Sequence, residues 1–390
     1  MQRRRVYSVI PITYRARVCD YVRRVLPTII AVSIIRFSCA TLLYLSLTSL
    51  ASHALEVPFM NVVKVESGLN WLYLFSNWDT GHYVGIAVNW YPTTISPEWA
   101  FSPLYPAAIR ILTLLRTPPL LSAFIISTGC GVASVAMFQN LVEMYLPKSR
   151  RFATTILYFL FPPVLVFSSV SYSEEMFLMF TLLTWILHKK GMDGWASLSA
   201  CLCTLTRING ILIILPILFD NLRTKQYRVV SYVTLPIVTL LGWYCYGYVM
   251  TGDFFVSLTV RHDWIDQNAL VIQKALLRIL TGDLSALSSL SSYARLGVEA
   301  GIYIGIIVFF AYRSYRIDRA LAFYSFASIF SIVYFGFVTS YLSLPRYLSF
   351  IFPLGLSMYS RNRLLVAIVA TLFVLVDLIS WRAFIVDSFF

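Results

Sequence analysis

Long apolar runs separated by short polar segments dominate the chain. Several runs reach the roughly 20 residues that an α-helix needs to cross about 30 Å of hydrocarbon. No long stretches of alternating apolar and polar positions occur, so helices rather than strands are predicted to cross the membrane. The apolar segments are 28–50, 119–145, 152–170, 175–188, 194–219, 229–250, 298–312, 320–340, 345–359 and 364–381. The pattern predicts an all-α polytopic membrane protein.

Basic clusters between these segments predict the topology, because Lys and Arg near span ends mark the cytosolic side. The clusters are Lys148/Arg150/Arg151, Lys189/Lys190, Arg223/Lys225/Arg228, Arg313/Arg316/Arg319 and Arg361/Arg363. We expect them, with a basic N-terminal arm at 1–27, to be cytosolic. The result is one membrane-embedded domain over 1–390, with about eleven helices and the N-terminus in the cytosol. Longer non-cytosolic loops are expected at 51–118 and 251–297.

One segment, 194–219, has a basic cluster on both sides and cannot be a single crossing. The sequence "TRING" interrupts it with a charge, an amide and a glycine. We therefore predict two shorter helices that form a hairpin, with Arg207, Asn209 and Gly210 near the apex. This arrangement puts both basic clusters in the cytosol and keeps the charge out of lipid. The segment 101–116 is short and contains Pro106 and Arg110, so we interpret it as an interfacial helix.

Composition supports a membrane protein and changes how the positive charge is interpreted. Of the 390 residues, 58% are hydrophobic and only 13% are charged, with a mean hydropathy of +0.74. The net charge of +13 is dispersed between apolar segments, which favours a topology signal over a nucleic-acid surface. No glycine-rich phosphate loop, zinc spacing or disulfide framework is found, and no cofactor or metal site is predicted.

Polar residues that could perform chemistry gather in the predicted outer segments. Asp79 and His82 lie three residues apart, so they share a face if the segment is helical. A carboxylate partly desolvated by neighbouring tryptophans could act as a general base towards a hydroxyl. The alternative is a loop carboxylate that caps a helix. Glu174 and Glu175 open a later helix, where they either complement its dipole or orient a basic residue.

Three arginines on the outer or buried side have no role in the topology: Arg207, Arg261 and Arg346. A buried guanidinium is costly unless it is paired, and its fork suits the oxygens of a phosphate. A lipid phosphate is therefore one expected ligand. The alternative is internal salt bridges to Asp79, Glu174 or Asp263.

Several motifs, taken in order, resemble those of the PIG-V family. "NWDTGHYVGIAVNWY" with "FSPLYP" is similar to the family pattern W-D-x-x-H-[FY]-x-x-I-A followed by F-x-P-x-Y-P. "SYSEEMF", "TLTRINGIL", "TGDFFVSLTVRHDW" and "LPRYLSFIFP" resemble later family motifs. The matches extend from about residue 70 to residue 353. Trp90 is a departure, since family members commonly have glycine there.

The resemblance implies a GT-C fold glycosyltransferase that takes mannose from a polyprenyl-phosphate donor, dolichyl-phosphate mannose in eukaryotes. It implies that Asp79 is the base and that Arg207 and Arg346 neutralise the phosphate. His82, Glu174, Asn209 and Tyr347 are the further substrate-binding candidates. The acceptor is a lipid-linked glycan on the non-cytosolic face, and by resemblance the step adds the second mannose of the GPI anchor precursor. The endoplasmic reticulum membrane is expected in a eukaryote and the cytoplasmic membrane in a prokaryote.

Other functions remain open at this point. A transporter or flippase of a lipid-linked sugar would use the same arginines without transfer chemistry. Further alternatives are a GT-C enzyme with a non-GPI acceptor and a structural subunit of a larger complex. Whether the enzyme needs a small membrane partner subunit is also open. If Asp79, Arg207 and Arg346 share one site, Asp79 must lie within about 10 Å of at least one of the two arginines.

Overall fold

The computed structural model describes residues 14–48, 70–76, 79–225, 230–261, 305–336 and 344–385. Within these ranges the secondary structure is helical. The first helices are α1 (Tyr14–Thr48), α2 (Asp79–Asn89), α3 (Leu104–Leu114), α4 (Pro119–Tyr145), α5 (Lys148–Phe159), α6 (Pro162–Ser169), α7 (Glu174–Lys189) and α8 (Asp193–Thr206). They are followed by α9 (Ile214–Thr224), α10 (Val230–Thr251), α11 (256–261), α12 (Gly305–Ser314), α13 (Arg319–Gly336), α14 (Leu344–Ser349), α15 (Pro353–Ser357) and α16 (Arg363–Ile385).

The predicted all-α membrane fold is confirmed, while parts of the predicted loops fall outside the described residues. Those parts are 1–13 of the N-terminal arm, 51–69 and 77–78 of the first loop, and 262–297 of the second. By length and composition, α4 and residues Tyr232–Thr251 of α10 can each cross a membrane. The pair α5 and α6, bent by 67°, would be a third span if it crosses as one unit.

Two predicted single spans are broken, and with α2, α3 and α11 in the predicted loops they give the described ranges more helices than the expected eleven. Segment 152–170 divides into α5 and α6, because Pro162 and Pro163 occupy the first turn of α6 and supply no backbone N–H to continue α5. Segment 345–359 divides in the same way into α14 and α15, with Pro353 starting the second. Segment 194–219 divides at the "TRING" sequence, as predicted.

The break in segment 194–219 produces the expected hairpin. The chain leaves α8 through Arg207 in an extended conformation, makes a 3₁₀ turn at Ile208–Ile213 and continues into α9. His188, at the end of α7, contacts Asp193 at the start of α8 (2.8 Å) and Asp220 near the end of α9 (3.3 Å). Both open ends of the hairpin therefore lie at the same end of the bundle.

Further polar contacts stabilise the open end of the hairpin. Lys189 Nζ lies 2.7 Å from Asp220 Oδ2 and 3.5 Å from Asp318 Oδ2. Burial acts to raise the pKa of Asp220, but hydrogen bonds and charge from Lys189 and His188 outweigh it, so the pKa lies below its ordinary value. These contacts join the ends of α7 and α9 to the start of α13.

Helix α4 determines where α7 begins. Its buried positions include small residues, which allow neighbouring backbones to approach closely. Ser127 donates a hydrogen bond to the carbonyl of Tyr172 (2.8 Å), and Ser134 donates one to the carbonyl of Glu175 (3.2 Å). Two serines seven residues apart lie on one face of a helix, so α4 holds both the turn before α7 and the first turn of α7.

Helix α2 is held by an aromatic cluster and by α3. Tyr91, just after α2, packs on Trp99 and Trp243 with ring centroids 4.8 and 5.1 Å apart. Arg110 of α3 donates hydrogen bonds to the carbonyls of Ala87 and Val88, which lack partners further along the helix. These contacts fix the axis of α2 and hence the position of its first residue, Asp79.

Trp90 ends α2 in a backbone conformation that favours glycine. Its φ is 64°, in the left-handed region where a side chain costs about 1–2 kcal/mol. The indole Nε1 donates a hydrogen bond to the Tyr246 hydroxyl (2.8 Å), and the Arg110 guanidinium lies 5.8 Å from the ring centroid. The side chain thus supplies contacts that offset the strain, and the backbone conformation gives a physical reason for the glycine found here in the sequences that the chain resembles.

Helix α3 has the features expected of the predicted interfacial helix. It spans 11 residues, too few to cross a bilayer. Tyr105 and Ile109 are buried against the protein, whereas Ile111 and Leu114 are 61% and 75% exposed. A short helix with exposed apolar side chains fits a position at the lipid surface.

We predict that Gly210→Ala destabilises the hairpin. A Cβ at Gly210 would lie 2.4 Å from the carbonyl carbon and oxygen of Cys203 and 2.7 Å from the Thr204 nitrogen, all backbone atoms that cannot rotate away. Forced overpacking of this kind costs about 1–3 kcal/mol or more. Thermal unfolding of the purified protein in detergent should show a lower melting temperature.

The matched control is Gly129→Ala in α4, where a Cβ would meet nothing within 4 Å. Because alanine is about 1 kcal/mol better than glycine inside a helix, this variant should unfold at the wild-type temperature or above. Equal melting temperatures for wild type and Gly210→Ala would contradict the tight packing of the apex on α8.

Candidate functional site

Two adjacent carboxylates at the start of α7 point to different parts of the protein. Glu174 and Glu175 are only 2% and 1% exposed. Successive helical residues are rotated by about 100°, so they face different neighbours. Glu174 faces the residues predicted to form the site, and Glu175 faces α1 and α4.

Glu174 is the centre of a chain of four charged groups. Its Oε1 accepts hydrogen bonds from Arg207 Nη1 at 2.6 Å and from Arg346 Nε. Arg346 Nη2 lies 2.8 Å from Asp79 Oδ2. Asp79 is thus in direct contact with Arg346 and is connected to Arg207 through Glu174, so the structure brings together the charged residues predicted to share a site. These contacts are also the internal salt bridges that the sequence analysis gave as the alternative to a lipid phosphate ligand for the arginines.

Aromatic rings surround the two guanidinium groups. Arg346 Cζ lies 4.4 Å from the Tyr172 ring centroid and 5.2 Å from that of Phe167. Arg207 Cζ lies 4.6 Å from the ring centroid of Tyr347, a predicted site residue. Cation–π contacts of this kind hold a guanidinium by its face and leave the hydrogen-bonding edge for anions.

A hydroxyl pair connects α2 to the charged chain. Tyr83, one turn after Asp79, has its hydroxyl 2.7 Å from Ser173 Oγ. Ser173 Oγ also accepts a hydrogen bond from Arg207 Nη1 at 3.4 Å. Burial and the charge of Glu174 raise the pKa of Tyr83, so its hydroxyl stays protonated. The first turn of α2 is therefore attached to the turn before α7.

An apolar crevice opens beside these charges. Its polar part is lined by Glu174, Arg207, Arg346, Asn209 and Tyr347. The remaining lining residues are Phe177, Leu212, Tyr324, Ser328, Ile332, Phe350 and Ile351. A charged end joined to an apolar channel has the chemistry of a site for a lipid with a polar head group.

One oxygen in this crevice is unsatisfied. Glu174 Oε2 is buried and accepts no hydrogen bond from the described residues. An unpaired buried polar atom costs about 1–3 kcal/mol. A ligand hydroxyl or a water in the crevice would remove that cost, which is a second reason to regard this place as a binding site.

His82 lies at the edge of the cluster. Its ring stacks on Phe101 with centroids 4.9 Å apart, and its Nδ1 is 3.9 Å from Glu98 Oε1. Glu98 is a residue that the sequence interpretation did not single out. It belongs to the 3₁₀ turn Pro97–Ala100, which lacks any helix or strand pattern that would place it beside α2.

Glu175, the other carboxylate, forms a buried ion pair with Arg36 of α1. Arg36 Nη2 lies 3.0 Å from Glu175 Oε1, and Arg36 Cζ is 5.6 Å from the Phe159 ring centroid. Gly131 of α4 makes room for the pair, since a Cβ there would lie 2.8 Å from Arg36 Nη1. This pair fixes α7 against α1 and α4 and thereby positions Glu174.

Most of the predicted substrate residues converge, and the missed residues have identifiable reasons. Asp79, Arg346, Arg207, Asn209 and Tyr347 meet around Glu174. Tyr83 and Ser173 were missed because a tyrosine and a serine beside aromatics look like ordinary core residues. Among the described residues, no group of three His, Cys, Asp or Glu side chains is arranged to hold a metal ion.

Comparison with known proteins identifies the family. A family model described as Mannosyltransferase (PIG-V) matches residues 34–234, about half of the chain. The chain belongs to the PIG-V family. The matched region contains Asp79, Glu174 and Arg207, so three of the four charged groups in the chain of contacts lie in the part of the protein that defines PIG-V membership.

The chain is also similar to a curated protein over part of its length. GPI mannosyltransferase 2 of Schizosaccharomyces pombe (strain 972 / ATCC 24843) is 28% identical over 189 residues. The match covers 45% of this chain and 40% of the relative. The compared region is therefore less than half of either protein. No solved structure shows a significant match to the chain.

We predict that Arg36 and Glu175 are strongly coupled in stability. Replacing either by methionine leaves a buried charge without its partner, which costs about 3–5 kcal/mol, whereas the double replacement removes both charges. Arg36→Met and Glu175→Met should each lower the melting temperature sharply. The double variant should be less destabilised than the sum of the two.

The control cycle uses Arg24 and Glu143, which also join α1 to α4, with an N–O distance of 2.7 Å. Arg24 is largely exposed, so this pair should contribute no more than about 1 kcal/mol. Additive effects of the Arg36 and Glu175 replacements would contradict the buried pair.

Proposed function

We propose that this protein is a glycosyltransferase that moves mannose from a polyprenyl-phosphate mannose donor to a lipid-linked glycan acceptor. The observation that supports it most directly is the contact between Asp79 and Arg346 at the charged end of an apolar crevice. Membership of a mannosyltransferase family supports the transferred sugar. By similarity to the fission yeast relative, the proposed step adds the second mannose to a GPI anchor precursor.

Asp79 is the proposed general base. In the transfer, an acceptor hydroxyl oxygen forms a bond to C1 of mannose while the bond from C1 to the phosphate oxygen breaks. The hydroxyl proton passes to the Asp79 carboxylate, and polyprenyl phosphate leaves with the bonding electrons. Asp79 is the most exposed of the four linked charges, with 26% of its side chain accessible, so an acceptor can reach it.

Arg346 and Arg207 are proposed to stabilise the departing phosphate. Fixed donors aimed at the charge that develops on a leaving group lower the barrier most when they are already oriented. Glu174 and the rings of Tyr172 and Tyr347 hold the two guanidinium groups in place before substrate binds. Arg346 also orients Asp79, which links the base and the leaving-group end of the site.

The crevice is the proposed location of the donor's prenyl chain next to its head group. Phe350, Ile351 and Ile332 supply apolar walls, while Asn209 and Tyr347 face the polar part. A lipid donor agrees with the absence of a nucleotide-binding motif from the sequence. The proposal places the site on the non-cytosolic face, of the endoplasmic reticulum membrane in a eukaryote or of the cytoplasmic membrane in a prokaryote.

We predict that Asp79→Asn lowers the rate constant for mannosyl transfer by about 10²- to 10⁴-fold, the usual contribution of a general base. Asparagine keeps the shape of the side chain but accepts no proton from the acceptor. Arg346 retains Glu174 as a partner, so the variant should remain folded. The measurement is transfer of labelled mannose from dolichyl-phosphate mannose to glucosaminyl-phosphatidylinositol carrying one mannose, with purified protein in nanodiscs.

Glu143→Gln is the control, because that carboxylate pairs with Arg24 on the protein surface. It should transfer at the wild-type rate. Wild-type activity in Asp79→Asn would remove Asp79 from the mechanism. A failure of the wild-type chain to transfer alone, reversed by adding a small membrane subunit, would show that a partner is required.

The same preparation separates transfer from transport. A transferase releases polyprenyl phosphate only when an acceptor is present. Movement of intact donor across the bilayer, with no release of polyprenyl phosphate on adding acceptor, would contradict the proposed activity and favour a flippase.

A further inference from the structure

Two arginines far from the candidate site lie on one aromatic ring, and no described carboxylate forms an ion pair with either. The Cζ atoms of Arg150, in the first turn of α5, and Arg313, at the end of α12, lie 5.2 and 4.9 Å from the ring centroid of Tyr359. Arg313 Nη2 also donates a hydrogen bond to the Tyr359 carbonyl at 3.0 Å. We call these three residues the Tyr359 cluster. An anion that both guanidinium groups contact would remove their mutual repulsion.

Helix packing places the cluster at the end of the bundle where the hairpin opens. A Cβ at Gly355 would lie 2.5 Å from the Tyr158 ring, so α15 and α5 are in close contact. The Tyr145 hydroxyl donates a hydrogen bond to Asp318 Oδ2 (3.0 Å), which is also 3.5 Å from Lys189 Nζ. Helix α5 begins shortly after Tyr145, and α12 ends shortly before Asp318. The basic clusters predict that this end faces the cytosol.

The start of α5 also lacks an anion. Its first turn contains Lys148, Arg150 and Arg151, contains no acidic residue and has no side-chain cap. The positive end of a helix dipole favours acids and disfavours cations, so this sequence is unfavourable unless an external anion compensates. Arg151 donates to the carbonyls of Leu146 and Glu143 at the end of α4. Arg150 makes no such bond, so its hydrogen-bonding edge is available.

Two other helices that begin at this end have side-chain caps. Asp318 Oδ1 accepts a hydrogen bond from the Ala320 N–H at the start of α13 (2.8 Å). Asn362 Oδ1 accepts hydrogen bonds from the N–H groups of Leu364 and Leu365 at the start of α16 (3.0 and 3.2 Å). The uncapped first N–H groups of α5, beside Arg150, can therefore serve an anion together with the arginines.

Exposed aromatic rings beside these cations favour a lipid as the source of the anion. Arg313 Cζ lies 5.8 Å from the ring centroid of Phe309, and Arg319 Cζ lies 5.5 Å from that of Tyr315. Phe309 and Tyr315 are 55% and 50% exposed. Arginine next to exposed apolar and tyrosine rings is typical of a membrane surface, where the side chain extends to the level of the phosphates.

We propose that the Tyr359 cluster and the first turn of α5 bind the head group of an anionic phospholipid. Its phosphate contacts the guanidinium groups of Arg150 and Arg313 and the first N–H groups of α5, and an acyl chain packs on Phe309. The crevice beside Glu174 lies near the apex of the hairpin, whereas this site lies at its open end. The lipid is therefore a structural ligand and takes no part in mannosyl transfer.

The first test measures the melting temperature of the purified protein in a neutral detergent with increasing dioleoyl-phosphatidylserine. This lipid should stabilise the wild-type protein, and dioleoyl-phosphatidylcholine should not. In the variant with both Arg150→Gln and Arg313→Gln, the phosphatidylserine concentration that gives half the effect should rise about tenfold or more, because each cation near a lipid surface contributes to binding. The measured quantity is the response to lipid, so a lower starting stability of the variant does not affect it.

The matched control combines Arg223→Gln and Lys225→Gln. It removes the same number of positive charges from exposed positions near the end of α9, at the same end of the bundle. This control should respond to phosphatidylserine as the wild-type protein does. An equal loss of response in both double variants would mean that only net charge matters, and would overturn the site.

A second variant supplies the anion from the chain itself. Ser149 is exposed in the first turn of α5, so Ser149→Asp places a carboxylate beside the cluster and at the positive end of the helix. This variant should melt at a higher temperature than the wild-type protein without lipid and should gain little from phosphatidylserine. Ser149→Ala should keep the wild-type response. A Ser149→Asp variant with unchanged stability and a full response would contradict the proposal.

Two competing ligands are distinguished in the same assay. Glycerol phosphate has the phosphate without acyl chains, so equal stabilisation at equal concentration would identify a soluble phosphate site instead of a lipid site. Stabilisation by a soluble polyglutamate peptide but not by phosphatidylserine, lost on replacing Arg150 and Arg313, would identify a contact for an acidic protein. Either result overturns the lipid assignment. None of these measurements requires mannosyl transfer, so they are decided independently of the proposed function.

Discussion

Two adjacent carboxylates buried at the first turn of α7 impose the main constraint on this structure. A carboxylate removed from water is costly unless a cation and hydrogen bonds replace the solvent. Glu174 and Glu175 face different neighbours, so each needs its own cation. Arg36 serves Glu175, and Arg207 and Arg346 serve Glu174. The start of α7 consequently determines how α1, the hairpin apex and α14 are placed.

The same constraint explains why the candidate site is assembled from distant parts of the chain. A single short helix could supply carboxylates but not three guanidinium groups in different directions. Arg346 lies 172 positions after Glu174, and Arg36 lies 139 before Glu175. A site built in this way is rigid before any ligand arrives, which is what electrostatic stabilisation of a leaving group requires.

Sequence reasoning predicted the helical class, the hairpin and most of the residues that lie together around Glu174, each for a physical reason. Basic clusters on both sides of 194–219 required an even number of passes, and charges within apolar segments required partners. The position of Glu174 and Glu175 in one helical turn left open which of them faces the site, because that depends on where α1 lies, and Glu174 was named as a site candidate only with the family resemblance. The broken spans at Pro162 and Pro353 were missed because hydropathy averages over a helix break. Glu98 was missed because its 3₁₀ turn has no periodic pattern.

The order of the charged residues along the chain has a consequence for membrane insertion. Arg36 precedes Glu175 in the chain, so it is synthesised before the carboxylate that it neutralises in the folded protein. Glu174 has no such partner until Arg207 follows 33 residues later at the hairpin apex. The burial of Arg207 at the hairpin apex and the burial of Glu174 at the start of α7 therefore depend on each other, because each neutralises the other. Arg346 arrives last and completes a chain of charges whose other members are already present.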